Sequence, residues 1–309
     1  MDEFETVSLS NLKIGMRLAL PVYDDFGKLL YPEKTVMESI EQIEELKRNY
    51  VFEVDCEPGV IVEIKSEIVE SPKPKPASAE EEFHNFLEQR EQAKIIQKEA
   101  FSVAKDLFMD VRGGQLTSVK PAQETVEKLL DALINNSDAV TSLSLLKNFD
   151  EYTFQHCVNV SVLSLSLAHA FGFPRSLLKL VGLGGLLHDI GKMRVPEGIL
   201  NKPGRYSEWE FNIMKKHPIL GAEMLKESGS VHKVVTLIAL QHHERADGSG
   251  YPQRMTRENI NELARLVAIT DVYDAPTTKR VYKDTIPPHK ALAMIFENRN
   301  QDFDSEMVE

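Results

Sequence analysis

Leu183-Gly184-Gly185-Leu186-Leu187-His188-Asp189-Ile190-Gly191-Lys192 reads as an apolar helix that closes on an imidazole and a carboxylate. Burying those two groups without partners is costly, and a metal ion is one efficient partner for both. Lys192 lies one helical turn after His188, so its ammonium is expected to face the same pocket. Two other segments end in the same manner. Val234-Val235-Thr236-Leu237-Ile238-Ala239-Leu240 leads into His242-His243, and Leu266-Val267-Ala268-Ile269 leads to Asp271. Apolar helices that each end in His or Asp deliver nitrogen and oxygen ligands to one point. The fold this predicts is mainly α, a helical bundle with its chemistry at the helix ends.

Working outward, helices are predicted over Tyr152–Phe171, Arg175–His188, Ser207–Lys215, Pro218–Lys226, His232–Gln241, Ala264–Val272 and Pro288 to about Asn298. Glu80–Met109 is long, charged and amphipathic, as in a connecting or dimerising helix; Gly113-Gly114 ends it, and Pro121 opens another. Ser71–Ala79, SPKPKPASA, reads as a stiff linker. Before it, short apolar runs broken by turn signals predict a small α+β module. Strands are expected over Leu18–Tyr23 and Leu29–Tyr31, a helix over Glu38–Arg48, and strand-like returns at Val51–Val54 and Val60–Val69. The expected division is 1–70 accessory, 71–79 linker, 80–148 helical connector and 149–309 catalytic.

A chain of 309 residues with 42% hydrophobic and 27% charged residues buries a core without disulfides. Cys56 and Cys157 form no framework, which suits a reducing cytoplasm. No stretch approaches the roughly 20 apolar residues that span a bilayer, and the acidic start MDEFETVSLS lacks the basic region of a signal peptide. A net charge of −12 argues against long nucleic acid as a partner, while a small phosphorylated ligand remains compatible if metal ions invert the local field.

Each histidine has an ordinary reading. A single buried His beside an Asp is usually a satisfied core pair, His217 before Pro218 a cap, and His156 a core or surface residue. The ordered set weighs differently, because its members recur at intervals of 25 to 32 residues. Mixed imidazole and carboxylate donors suit iron, manganese or similar ions, and the lack of thiolates disfavours structural zinc. A carboxylate such as Asp189 can bridge two ions, the arrangement that activates water against phosphorus.

These motifs resemble the HD-GYP family of HD-domain metal-dependent phosphohydrolases. The matching residues are His188-Asp189-Ile190-Gly191-Lys192, and His242-His243-Glu244-Arg245 followed by Asp247-Gly248-Ser249-Gly250-Tyr251-Pro252. With them go His156-Cys157-Val158-Asn159-Val160, Ile199-Leu200-Asn201-Lys202-Pro203-Gly204, His217-Pro218 and Asp271-Val272-Tyr273-Asp274-Ala275. The resemblance spans roughly Tyr152 to Phe303. It implies an all-helical HD-domain bundle that hydrolyses cyclic di-GMP to the linear dinucleotide and onward to GMP in some members. It further implies His156, His188, Asp189, His217, His242, His243 and Asp271 as metal ligands, with Asp189 bridging and a metal-bound hydroxide attacking in line. Lys192 would neutralise the phosphate or help the leaving oxygen, and Arg280 matches a family arginine that contacts phosphate, its ordinary reading being a solvated charge. Tyr251 lines the substrate pocket or packs its loop, whose two glycines allow φ > 0.

Two departures qualify the resemblance. Some members bind a third metal through a Glu one turn before the first His; here that position is Tyr152, with Glu151 one step off the face, so two divalent ions are expected, iron or manganese. Pro276 replaces the usual Leu, which is expected to shift the next helix and the placement of Arg280. The chain stops soon after Phe303-Asp304, where relatives often continue, so one side of the pocket is expected to be open. Two other readings stay open: a phosphohydrolase of another cyclic nucleotide such as cyclic GMP–AMP, and a metal-bound cyclic di-GMP binding protein with little turnover. The 80–110 helix and the N-terminal module are where a homodimer or a signalling partner would form.

Overall fold

The computed structural model describes residues 5–9, 11–23, 29–48, 53–61, 79–114, 116, 118–137, 140–141, 152–278 and 285–309. Two compact units emerge, one of residues 1–76 with 174–177 and one of residues 77–173 with 178–309. The expected linker and Arg280 fall outside the described residues, apart from Ala79.

The first unit is built on strands β1 (Glu5–Ser8), β2 (Met16–Leu18), β3 (Val22–Tyr23), β4 (Leu29–Tyr31) and β5 (Glu53–Ile61), with helix α1 (Ile40–Arg48). β5 lies between β1 and β2, antiparallel to both, and β3 pairs with β4. Ile43 and Leu46 of α1 join Leu18, Met37, Val54 and Cys56 in the core, while Ile40 is 61% exposed. The two strand-like returns expected at 51–54 and 60–69 are one strand over 53–61, with residues 62–69 outside the described residues. Pro58-Gly59 sits inside it, where the register against β2 slips between Met16 and Leu18, and Gly59 takes φ +70°. An irregular stretch tolerates a proline and uses a glycine, so a turn signal did not end the strand.

The second unit is helical: α2 (Ala79–Arg112), α3 (Lys120–Asn135), α4 (Tyr152–Ala170), α5 (Arg175–Leu187), α6 (Glu197–Leu200), α7 (Glu208–Met214), α8 (His217–Ser228), α9 (Lys233–Gln241), α10 (Glu262–Thr277), α11 (Pro288–Glu297) and α12 (Ser305–Val308). Tight 3₁₀ turns cover Ile190–Arg194 and Arg257–Asn259. Gln155 to Val162 of α4 is buried without a break, as expected of a helix surrounded on all sides. It packs against α2, α3 and α10, with Phe154 edge-on to Phe101 and Phe108. Among the described residues no helix is long and apolar enough to cross a membrane.

Glycines set how closely the helices cross. A Cβ on Gly185 would lie 2.9 Å from Ser161 Cα, so α5 passes against the α4 backbone, and Ser161 Oγ donates to Gly182 O at 2.7 Å. Gly191 is tighter: its Cβ would meet His217 O at 2.0 Å and Gly221 N at 2.5 Å. That contact seats the 190–194 turn on the start of α8, bringing Asp189 and His217 together. α10 runs through Pro276 and stops one residue later, and the freed Pro276 carbonyl accepts from Ile286 N at 3.0 Å. At the other end of the chain Phe303, Met307 and Val308 pack with Ile269 and Ile295. Asp304, 2% exposed, is held by Arg257 and Arg265.

Gly191→Ala is expected to destabilise the protein by about 3 kcal/mol, because the obstructing atoms are backbone and cannot rotate away. Gly198→Ala, with nothing within 4 Å of its Cβ, should stay within about 1 kcal/mol of the native chain. Chemical denaturation of the three proteins checks the contrast. Ser207 and Glu210 form a capping box on α7. The Lys202 ammonium and then the Ser207 N–H hold the Glu210 carboxyl down to about 2. The cap is thus intact above the ordinary carboxylate range and is lost as pH falls through about 2. The Ser207 amide resonance should titrate there, and Lys202→Ala should move that midpoint upward.

Candidate metal centre

Five imidazoles and two carboxylates from separate elements meet at one end of the helical unit. His188 and Asp189 follow α5; His242 and His243 follow α9; His217 opens α8; His156 lies inside α4 and Asp271 inside α10. The expectation that ligands close apolar helices holds for the first two pairs. It fails for Asp271, because α10 continues six residues beyond it to Thr277. His156, His188, Asp189, His217 and His242 are each at most 2% exposed, Asp271 7%.

Asp189 is at the centre. Its Oδ1 is 3.2 Å from His217 Nε2 and 3.8 Å from His242 Nε2; its Oδ2 is 3.3 Å from His188 Nε2 and 3.8 Å from His156 Nε2. The two oxygens thus face different pairs of histidines. Asp271 faces His156 Nε2 at 3.1 Å and His243 Nδ1 at 3.9 Å. Lys192 Nζ donates to Asp189 Oδ2 at 2.5 Å. The Lys192 ammonium faces the His188 pocket as expected, though by another route: the α-helix stops at Leu187, and a 3₁₀ turn carries the ammonium to Asp189.

The donor atoms fall into three groups: Asp189, His217, His242 and His243; His156, His188 and Asp271; and Cys157, His188 and Asp189, which overlaps the other two. Within a group all donors lie within 4.8 Å of one another. His188 Nε2 and Asp189 Oδ1 are buried without a hydrogen-bond partner, and His217 Nε2 sits 3.3 Å from His242 Nε2. Orphaned buried acceptors and facing imidazole nitrogens are what a cation would satisfy. The residues fit a metal site.

Burial sets the direction for three of the five imidazoles. It pushes His242 down to about 3, helped by His188 and His217, and holds His217 and His243 below the usual range. Neutral imidazoles are the form that ligates metal. His156 differs. Burial opposes its charge, but hydrogen bonds to Asp271 and Asp274 prevail and raise it to about 9. Burial also opposes ionisation of Asp189, yet Lys192 and His188 hold its carboxyl well below the ordinary range. Lys192 itself stays an ammonium, since Asp189 outweighs its burial.

The 247–255 loop closes over this cluster. Gly248 takes φ +80° as expected, but Gly250 is required for space: its Cβ would meet Arg245 N at 2.4 Å and Glu244 Cα at 2.6 Å. Tyr251 N donates to His243 O, its ring stacks on the His243 ring with centroids 4.7 Å apart, and the Tyr251–Pro252 bond is cis. Phe211 meets the outer side of Tyr251 edge-on at 6.5 Å. Glu244 is 2% exposed; its carboxylate accepts from Gln253 N at 2.6 Å and Met255 N at 2.9 Å. Ala246 N and Asp247 N donate to Asp302 O and Gln301 O. Glu244 and Asp274 lie within the sequence motifs, but residue pattern assigns neither a role. An acidic residue three positions after Asp271 is the available signal for Asp274. The side chain of Tyr152 and Glu151 lie outside the described residues, as does Arg280.

The model of the HD domain matches residues 130–307, more than half of the chain. The chain belongs to the HD domain family. A cyclic di-GMP phosphodiesterase of Pseudomonas aeruginosa is 40% identical over 212 residues, which is 69% of this chain and 50% of that protein. A cyclic di-GMP phosphodiesterase response regulator of Xanthomonas campestris pv. campestris is 33% identical over 73% of this chain and 55% of its own length. The chain thus spans about half the length of these curated relatives. A 3'3'-cGAMP-specific phosphodiesterase of Vibrio cholerae is 32% identical over 60% of this chain and 36% of its own length. Among solved structures, the HDG"Y"P protein Bd1817 from Bdellovibrio bacteriovorus superposes with a TM-score of 0.61 at 20% identity. It covers 99% of this chain and 97% of that one, and so shares the fold. The HD-GYP character read from the motifs agrees with these relatives.

Glu244→Gln, which replaces one of the two oxygens that accept from backbone amides with an NH2 donor, should cost about 1–3 kcal/mol. It should also speed hydrogen exchange at Gln253 and Met255; unchanged exchange there would remove Glu244 from loop support.

Proposed function

We propose that this chain is a metal-dependent phosphodiesterase that hydrolyses cyclic di-GMP to the linear dinucleotide. The observation that carries the reading is the single carboxylate, Asp189, whose two oxygens face separate histidine sets within reach of one ammonium. His156, His188, Asp189, His217, His242, His243 and Asp271 would hold two divalent ions, with Asp189 shared. Oxygen and imidazole donors suit iron or manganese; the Cys157 sulfur lies within reach of His188 and Asp189, but burial holds it as a protonated thiol. The ions supply Lewis acidity toward water and the phosphodiester. Lys192 keeps its charge beside Asp189 and is placed to offset negative charge on a phosphate oxygen, while Tyr251 walls the site on the His243 side. The free thiols of Cys56 and Cys157 suit a reducing, cytoplasmic setting.

A second reading within the same chemistry has support of its own, since a relative at 32% identity is named as specific for 3'3'-cGAMP. Manganese-loaded protein incubated with either cyclic dinucleotide, and the products resolved by chromatography, decides between them. Linear product from cyclic di-GMP in preference to the mixed dinucleotide is expected; binding without product would leave a receptor.

His188→Ala and Asp189→Ala should lose both bound metal and turnover. Lys192→Met should keep its metal and lose roughly 10²–10³ in kcat, the scale of one removed charge-stabilising donor. Metal analysis beside single-turnover rates checks the split.

A further inference from the structure

Four buried histidines of the cluster carry a partner on Nδ1, and one partner is unlike the rest. His188 Nδ1 donates to Gly185 O at 2.7 Å, His217 Nδ1 to Met214 O at 2.8 Å and His242 Nδ1 to Ala239 O at 2.9 Å. Each of these acceptors is a carbonyl three residues earlier in the same chain segment. His156 Nδ1 instead meets Asp274 Oδ2 at 2.7 Å, a side chain 118 residues away on α10. Asp274 is 2% exposed, and its other oxygen accepts from Asn159 Nδ2 and Thr278 Oγ1, both at 2.9 Å. Asn159 is held in turn by Gln155 Nε2 at 2.9 Å. A carboxylate only accepts, so His156 must carry its hydrogen on Nδ1 and turn Nε2 toward Asp271 and Asp189. A carboxylate behind an imidazole also makes it a stronger donor than a carbonyl does.

We propose that Asp274 is the positioning residue of one metal subsite, that of His156, His188 and Asp271, and that its loss weakens that ion alone. This rests on the two-metal reading. In the other subsite, of His217, His242 and His243 with Asp189, main-chain carbonyls orient His217 and His242, and neither imidazole depends on Asp274. The subsites are therefore unequal in charge as well as in composition. One has Asp271 and the Asp274 carboxylate around its imidazoles; the other sets three imidazoles against the shared Asp189.

The test is a titration of metal-free protein with manganous ion alone, followed by metal analysis after desalting and by electron paramagnetic resonance. Native protein is expected to take up two ions that give an exchange-coupled spectrum. Asp274→Asn keeps the shape and should weaken one ion by roughly 10–100-fold, leaving the other unchanged. At limiting manganese its spectrum becomes that of an isolated ion. His242→Ala should lose the opposite ion, so that Asp274→Asn combined with His242→Ala keeps one ion, weakened by the same factor as in Asp274→Asn alone. Adding Asn159→Asp to Asp274→Asn restores an acceptor beside the new amide and should recover part of the lost affinity. Asp274→Asn that weakens both ions alike, or neither, overturns the proposal while leaving the two-metal reading intact. Native protein that binds fewer than two ions overturns both.

Discussion

A buried carboxylate surrounded by imidazoles constrains the helical unit. Asp189 is 1% exposed, so its charge is tolerated only because Lys192 and four histidines stand around it. Those histidines come from four different elements, which must each end or pass at the same point. Burial holds His217 and His242 below the usual imidazole range, whereas at His156 burial is overcome by Asp271 and Asp274. Such an interior is unfavourable for an apolar core and favourable for a cation. Stability has been given up at the point where chemistry is to occur, and the surrounding helices hold it together.

That support is largely a matter of how near backbones can come. Gly185 lets α5 lie against α4, and Gly191 lets the following turn touch the first turn of α8. Gly250 does the same for the loop that carries Tyr251. Side-chain volume at any of the three would move a donor by more than a metal–ligand bond tolerates. The glycines fix distances between donors as firmly as the donors fix the chemistry.

Much of this was legible from residue patterns. The helices α4, α5, α7, α9 and α11 fall within a few residues of where periodicity placed them, through apolar runs in α4, α5 and α9 and a capping box at the start of α7. All seven expected ligands converge. What escaped was set by contacts between distant segments. Asp271 reads as a helix end because it closes an apolar run, yet Asp274 and Thr277 are buried and carry α10 onward. The role of Asp274 depends on His156, far away in sequence. Gly250 looked like a conformational glycine and proved to be a spatial one. In the first unit, Pro58-Gly59 imitates a turn because a strand irregularity needs the same residues.

The main-chain bonds from Ala246 and Asp247 to Asp302 and Gln301 bear on the order in which the centre comes into being. During synthesis the paired histidines leave the ribosome well before the segment that braces their loop. Until that segment emerges, the amides of Ala246 and Asp247 lack their main-chain acceptors. A nascent chain would therefore carry the paired histidines before Ala246 and Asp247 find their main-chain partners.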